Sequence, residues 1–203
     1  MVNQSGVVSV AKGGDWSESY IVDLFDWHLM VSESLPNFGG NAQWAFKDFS
    51  TPLRPENPLP YINQKGLVDR QGRPKEAYWV FKSYWTRDPA FCHIYGHSWT
   101  GRHGQKDSTQ RVRVYCNTDS AQLTLNGVVM EEKFIDPTVF PASGLYWDVE
   151  FRQGRNQLSV VGKSAGMNAV YDALDIHYSE EKFGKLANIE LSSKRLEDGL
   201  ILI

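Results

Sequence analysis

The chain has 203 residues, of which 41% are hydrophobic and 13% aromatic, and its formal net charge is −3. That length allows one large or two small globular domains, but a complete β/α barrel needs about 250 residues and does not fit beside anything else. The interspersed charges give no basic patch for nucleic acid, and neither an export signal nor an apolar run of about 18 residues, the length of a membrane span, is seen.

The first predicted element is a helix that begins near Asp15. Asp15 and Glu18 have the spacing of a capping box, and Pro36 ends the helical pattern. Between them, apolar and aromatic side chains recur at three- and four-residue steps, as on one helix face: Tyr20, Ile21, Leu24, Phe25, His28 and Val31.

A strand, a long loop and a second helix follow between residues 39 and 85. The run from Gln43 to Phe49 is short and mostly apolar, which is typical of a strand buried on both faces. The loop at 51–60 is rich in proline, and Pro74 suits the first turn of a helix. This helix is expected to present one aromatic-rich face, made of Ala77, Tyr78, Phe81, Tyr84 and Trp85. The order is that of one βα unit.

After residue 89 the pattern changes to short alternating segments. The run from Leu145 to Phe151 alternates apolar and polar residues, and Asn126-Gly127 suits a type I′ hairpin turn. About seven such segments over roughly 90 residues favour an antiparallel β-sandwich, with the polar stretch 101–106 as a loop. From residue 183 the alternation resumes and ends in an apolar run, as expected for the first strands of a further, truncated β-domain.

Three segments together resemble glycoside hydrolase family 2, the β-galactosidase, β-glucuronidase and β-mannosidase family. They are residues 43–49 (QWAFKDF), residues 63–67 (NQKGL) and residues 73–75 (RPK), which enter the aromatic helix. The resemblance implies that residues 1–86 are the C-terminal part of a TIM-barrel glycosidase domain. Residues 87–180 would be the immunoglobulin-like sandwich that follows it, and residues 181–203 the start of a further domain.

The resemblance also implies where the sugar binds. In this family the tryptophan equivalent to Trp44 forms the floor of the sugar site, where its ring can stack on a pyranose. The pair Asn63 and Lys65 matches the residues that contact the sugar carboxylate in β-glucuronidases, although similar stretches occur in β-galactosidases. Asp48 could bind a sugar hydroxyl or play a structural role. A barrel-core tryptophan and a loop-fixing Asn-x-Lys pair remain the alternatives.

The two carboxylic acids that the reaction needs are not found at the expected positions. The family places both on barrel strands, and residues 7–14 contain no glutamate where the nucleophile is expected. Glu18, Glu56 and Glu76 are predicted to be solvated surface charges, so no catalytic residue is assigned. Cys92 and Cys116 are expected to be free buried thiols, although one bridge between them is possible. His93, His97 and His103 lack a carboxylate or thiol at metal spacing, so no metal and no cofactor are expected.

The favoured interpretation is a piece of a retaining β-glycosidase, acting on β-galactosides, that lacks both catalytic carboxylates. Its expected partner is a carbohydrate, a β-galactoside or β-glucuronide, with no nucleic acid or membrane partner. The exposed apolar surface of residues 1–86 is expected to pack on the sandwich or to self-associate. The parent would be bacterial, and periplasmic or secreted. The alternative is a non-catalytic carbohydrate-binding or spacer module.

Overall fold

A computed structural model describes residues 17–53, 55 and 59–180. The region 7–14, Asp15, Glu56 and the further β-domain predicted from residue 181 therefore lie outside the described residues. Within the described part, most regular structure is β-strand, with two α-helices before the strands. Neither described helix is long and apolar enough to span a bilayer.

Helix α1 spans Glu18–Ser34 and begins later than the sequence predicts. Its N-cap is Ser17, whose Oγ accepts a hydrogen bond from the Tyr20 amide at 3.1 Å, so the cap predicted at Asp15 is wrong. The predicted apolar face is also partly wrong, because Tyr20 and Leu24 are exposed. The buried face is instead formed by Glu18, Val22, Asp26 and Leu29.

Helix α2 spans Glu76–Trp85, and it packs against α1. Ala77, Val80 and Phe81 are buried as a helical face, whereas Trp85, which was placed on that face, is half exposed. The shared core of the two helices also takes in two residues of the following β-region, Tyr115 and Ala142. The helical region therefore packs on the β-region, as expected for its apolar surface.

The segment before α2 is less regular than predicted. Strand β1 covers only Phe49–Ser50, and it pairs with β2, Ile62–Asn63. Lys47 forms an isolated parallel bridge with Val68. A strand over 43–49 buried on both faces is wrong, because Trp44 is 71% and Phe46 63% exposed. Within the described residues this segment has a hydrogen-bonded neighbour along 67–68 but lacks the flanking strands that would bury it.

Eight strands of the described chain form two sheets. One sheet has the order β3-β5-β8, with bounds Cys92–Ile94, Thr109–Cys116 and Tyr146–Glu150. The other has the order β4-β10-β9-β6-β7, with bounds Gly101–Gly104, Val170–Glu180, Gly154–Lys163, Ser120–Leu125 and Val128–Phe134. A short 3₁₀ helix, Ala142–Gly144, precedes β8.

The two sheets face each other across one core, which agrees with the predicted sandwich. Alternate residues of β8 (Trp147 and Val149) pack in the same cluster as Leu123, Val160 and Ile176 from the other sheet. The Asn126-Gly127 turn joins β6 to β7, and both residues have the positive φ that a type I′ turn requires.

Two features of the sandwich correct the sequence interpretation. Residues 101–104 form strand β4, which pairs in parallel with the end of β10, so the loop predicted there is partly wrong and the sandwich is not purely antiparallel. Cys92 and Cys116 form a disulfide, so the expectation of free thiols is wrong. The two cysteines lie directly opposite each other in the antiparallel pair β3–β5, a register that sequence spacing does not reveal.

Candidate functional site

A buried ion pair fixes the loop before α2. Lys75 Nζ donates to Asp48 Oδ1 and to the Gln64 carbonyl, both at 2.9 Å, and the Gly66 amide donates to Asp48 Oδ1 at 2.8 Å. The Lys75 and Asp48 side chains are only 15% and 6% exposed. A Cβ on Gly66 would lie 2.3 Å from the Asp48 amide nitrogen, so only glycine allows this close approach. Asp48 and Lys75 therefore hold three chain segments in register.

Trp44, Asn63 and Lys65 lie around the short β1–β2 ladder. The Trp44 ring meets the Phe49 ring edge-on at 6.0 Å, and Phe49 pairs with Asn63 across the ladder. Asn63 Oδ1 accepts the Lys65 backbone amide at 3.1 Å, which leaves the side-chain NH₂ of Asn63 to donate elsewhere. Lys65 is exposed, and its ammonium has no acceptor among the residues that the structure describes. An aromatic ring, an amide donor and a cation therefore lie on or next to the β1–β2 ladder.

Glu18 and Glu76 are buried, so their prediction as surface charges is wrong. Their exposed fractions are 6% and 4%. Glu18 Oε2 accepts the Glu76 amide at 3.3 Å, which satisfies a free N–H at the start of α2. Burial raises the pKa of the Glu18 carboxyl, and the repulsion of Glu76 adds to this, although the hydrogen bond from the Glu76 amide opposes it. Both helix starts meet here, which is why these two acids are enclosed.

A cleft of about 990 Å³ separates the helical region from the sandwich. Asp48, Lys75 and Glu76 line it from the helical side, and His93 and Asp172 line it from the sandwich side. Trp44, Asn63 and Lys65 do not line this cleft. The sequence-predicted site residues are therefore divided: Asp48 lines the cleft, whereas Trp44, Asn63 and Lys65 lie outside it, on or next to the β1–β2 ladder.

Two histidines and two carboxylates continue along the cleft. His93 Nε2 lies 2.9 Å from Glu76 Oε2, and His97 Nε2 lies 2.8 Å from Asp172 Oδ2. The hydrogen bond to Asp172 raises the pKa of His97. Burial alone would raise the pKa of Asp172, but the hydrogen bonds from His97 and the Ile94 amide hold it below its usual value. Sequence reasoning grouped His93 and His97 with His103 and missed Asp172, because nothing local marks a residue on a distant strand.

A second buried acid, Asp26, joins α1 to the sandwich. Its side chain is fully enclosed, and it accepts hydrogen bonds from Tyr84 Oη at 3.2 Å, Tyr115 Oη at 3.1 Å and the Ala142 amide at 2.5 Å. Burial raises the pKa of Asp26, and these three donors oppose the rise. Asp26 interrupts the apolar periodicity of α1, and that interruption was the available sequence signal.

Known proteins resemble this chain over nearly its whole length. Residues 107–170 match the model of a domain of unknown function, DUF4982. A putative β-glucuronidase of Formosa agariphila is 52% identical over 98% of this chain, and the chain covers 24% of that protein. The solved β-glucuronidase of Parabacteroides merdae is 45% identical over 91% of this chain, with a TM-score of 0.81. The β-glucuronidase 3 of Bacteroides uniformis is 47% identical over 82%, with a TM-score of 0.78.

These relatives are much longer than the chain, which spans about a quarter of the Formosa protein and 21–23% of the two solved enzymes. The match nevertheless extends through both the helical region and the sandwich, because it covers 82–98% of this chain. The chain is therefore homologous, over nearly its whole length, to one segment of the β-glucuronidase and β-galactosidase-like enzymes of glycoside hydrolase family 2.

Proposed function

We propose that this chain forms part of a retaining β-glucuronidase, in which it supplies one wall of the sugar site but not the catalytic carboxylates. In this proposal residues 17–86 are the last part of a TIM-barrel domain, and the sandwich is the immunoglobulin-like domain that follows it. The observation that carries the proposal is that Trp44, Asn63 and Lys65 lie on or next to the β1–β2 ladder, with Trp44 71% exposed. An exposed aromatic ring and two donor side chains without an acceptor among the described residues suit a sugar that bears a carboxylate.

The choice of a glucuronide over a galactoside rests on charge. Lys65 has an ammonium without an acceptor among the described residues, and a glucuronide carboxylate can pair with it whereas a neutral galactoside cannot. The relatives that are 45–52% identical to this chain over the matched segment are named β-glucuronidases. The solved protein named as a putative β-galactosidase, from Bacteroides fragilis, is only 20% identical and supports the fold alone. We therefore replace the β-galactoside first favoured on sequence grounds.

The chemistry requires residues beyond those described. Retaining hydrolysis uses an acid and a nucleophile whose carboxyl groups lie about 5 to 5.5 Å apart. Asp48 is engaged by Lys75, and Glu18 caps the start of α2, so both already have structural partners. Trp44 would stack on the sugar while Asn63 and Lys65 orient its carboxylate. Asp48 would act only by positioning the loop that carries Asn63 and Lys65.

For the sandwich we propose a spacer role. Its contacts with α1 include the Arg113–Asp23 ion pair and the hydrogen bond from Tyr115 to Asp26, which fix its position against the helical region. The Cys92–Cys116 disulfide persists in an oxidising compartment, which favours a periplasmic or secreted parent.

A chimera tests the substrate assignment. The equivalent segment of the Parabacteroides merdae β-glucuronidase would be replaced by this chain, and kcat/KM would be measured for 4-nitrophenyl β-D-glucuronide and β-D-galactoside. We expect glucuronide hydrolysis by the chimera, and a loss of about 10- to 150-fold in kcat/KM for the glucuronide with Lys65→Gln, because a charge-assisted hydrogen bond contributes about 1.5 to 3 kcal/mol.

Lys106→Gln is the matched control, since Lys106 is an exposed lysine in the turn between β4 and β5. It should leave both rates unchanged. Equal rates for Lys65→Gln and the unsubstituted chimera on the glucuronide would overturn the role of Lys65. A chimera that prefers the galactoside would restore the earlier assignment.

A further inference from the structure

His93, His97 and Asp172 bring three donor groups of metal-ligand type to one place in the cleft. One ligand atom from each lies within 4.8 Å of the other two. His93 lies on β3, His97 follows it by four residues, and Asp172 comes from β10 in the other sheet. The two strands approach closely enough for the Ile94 amide to donate to Asp172 Oδ2 at 2.6 Å. The folded sandwich therefore assembles a cluster whose members are far apart in sequence.

We propose that these three residues bind a divalent transition-metal ion, with Zn²⁺ as the ion that the donors fit best. Two imidazoles and one carboxylate are a common three-ligand set for Zn²⁺, and they leave a fourth position for water. Imidazole-rich sites favour zinc over magnesium or calcium, which prefer oxygen donors alone. The fourth position would open into the 990 Å³ cleft, whose lining includes all three residues.

Neighbouring residues orient the three side chains without a metal ion. The His93 ring is stacked between Trp79, at 4.6 Å, and His97, at 4.7 Å. Glu76 contacts one nitrogen of His93, as the outer carboxylate does in many metal-bound histidine sites. The Ile94 amide fixes Asp172 in the same way. Little side-chain entropy would be lost on binding, because the rings and the carboxylate are already oriented.

Charge at the cluster also favours a cation. Glu76 and Asp172 place two carboxylates around two imidazoles, and a divalent ion can balance both charges at once. Side-chain exposure rises from 9% at His93 through 18% at Asp172 to 34% at His97, so an ion can enter from the open end. The competing interpretation is two structural hydrogen bonds, His93–Glu76 between the helical region and the sandwich and His97–Asp172 within the sandwich, and it predicts no stoichiometric metal binding.

Calorimetric titration of the chelator-treated 203-residue chain with Zn²⁺ tests the proposal. We expect about one equivalent to bind at micromolar or lower concentration. His97→Gln, which retains a donor to Asp172, and Asp172→Asn should each weaken binding more than about 100-fold, and Glu76→Gln, which alters only the outer contact, about 10- to 100-fold. Co²⁺ in place of Zn²⁺ should give the visible absorption of a four- or five-coordinate ion.

Asp175→Asn is the matched control, because Asp175 is an exposed acid on the same strand and pairs with Arg155. Its Zn²⁺ affinity should equal that of the unsubstituted chain, and circular dichroism would establish that all variants are folded. The proposal would be overturned by the absence of stoichiometric binding to the folded chain. Binding that His97→Gln and Asp172→Asn leave unchanged would also overturn it, since the ion would then sit elsewhere.

Discussion

At the scale of single residues, the buried acids Asp26 and Glu76 each join the helices to the sandwich. Asp26 is the clearest case, because a carboxylate with no exposed surface accepts hydrogen bonds from two tyrosines and one amide. Burying such a carboxylate costs free energy. Removing it also costs free energy, because its buried donors lose their acceptor. Its role is to fix orientation rather than to contribute apolar burial.

Asp26→Ala should lower the free energy of unfolding by about 3 kcal/mol or more, because two buried donors, the Tyr115 hydroxyl and the Ala142 amide, lose their acceptor. Urea unfolding followed by tyrosine and tryptophan fluorescence measures this. Asp175→Ala is the control: both Asp175 and its partner Arg155 are more than half exposed, and the expected change is below about 1 kcal/mol. Similar losses for the two variants would show that the Asp26 contacts add nothing beyond a surface pair.

Glu18 should give the chain a specific pH dependence. Burial raises the pKa of Glu18 above its ordinary value of 4.5. As pH rises from 4.5 towards the raised pKa, the Glu18 carboxyl loses its proton in the unfolded chain before it does so in the folded chain. The free energy of unfolding therefore falls. Glu18→Gln removes this dependence while its side-chain oxygen can still accept the Glu76 amide. The stability of the variant relative to the original should therefore increase as pH rises above 4.5.

The control for that measurement is Glu33→Gln, because Glu33 lies exposed near the end of the same helix. Its stability relative to the original should stay constant over the same range. If the difference in unfolding free energy between Glu18→Gln and the original were also constant with pH, Glu18 would have the same pKa in the folded and unfolded chains. That result would contradict the expected effect of burial.

At the scale of elements, the disulfide joins neighbouring strands at the edge of the smaller sheet. It closes a separation of 24 residues, for which loop-closure entropy predicts a stabilisation of about 3 kcal/mol. A Cys92→Ala/Cys116→Ala variant should lose about that much in urea unfolding, and a reductant should affect the original chain but not the variant. Two free thiols in the oxidised, denatured chain, titrated with a thiol reagent, would contradict the assignment.

The elements differ in how well sequence predicts them. The sandwich strands were largely predictable, because one buried face makes apolar residues alternate from Leu145 to Phe151, and Asn126-Gly127 marks the hairpin. Strand β4 was missed, since a polar edge strand lacks that alternation. The strand expected at 43–49 fails because its apolar residues have no flanking strands among the described residues.

The site residues also differ in how well the sequence predicts them. Trp44, Asn63 and Lys65 were found through family-like local motifs, and they remain a proposed sugar surface. The cluster of His93, His97 and Asp172, and the buried state of Glu18 and Glu76, depend on how distant elements pack. No local sequence pattern predicts such packing, because a charged residue gives the same sequence signal whether its side chain lies in water or against another element.

At the scale of the whole molecule, the described surface has an apolar region beside β1 and β2. Trp44, Phe46 and Leu53 are 71%, 63% and 78% exposed. Exposed aromatic surface of this kind favours association. We expect the 203-residue chain to self-associate, and Trp44→Gln/Phe46→Gln to reduce its average mass in light scattering across a concentration series.

Tyr171→Gln is the control for self-association, since Tyr171 is a 72% exposed aromatic residue on strand β10 of the sandwich. It should leave the mass unchanged. A monodisperse, highly soluble monomer at all concentrations would show that the region around Trp44 does not drive association.

The central claim is that the surface around β1 and β2 is a wall of a glucuronide site, and a crystal structure of the chimera with bound glucuronate tests it most directly. The account predicts that the sugar carboxylate lies about 3 Å from Lys65 Nζ and from the side-chain nitrogen of Asn63, with the pyranose against the Trp44 ring. A carboxylate held only by residues from outside this chain, with Lys65 directed to solvent, would contradict it.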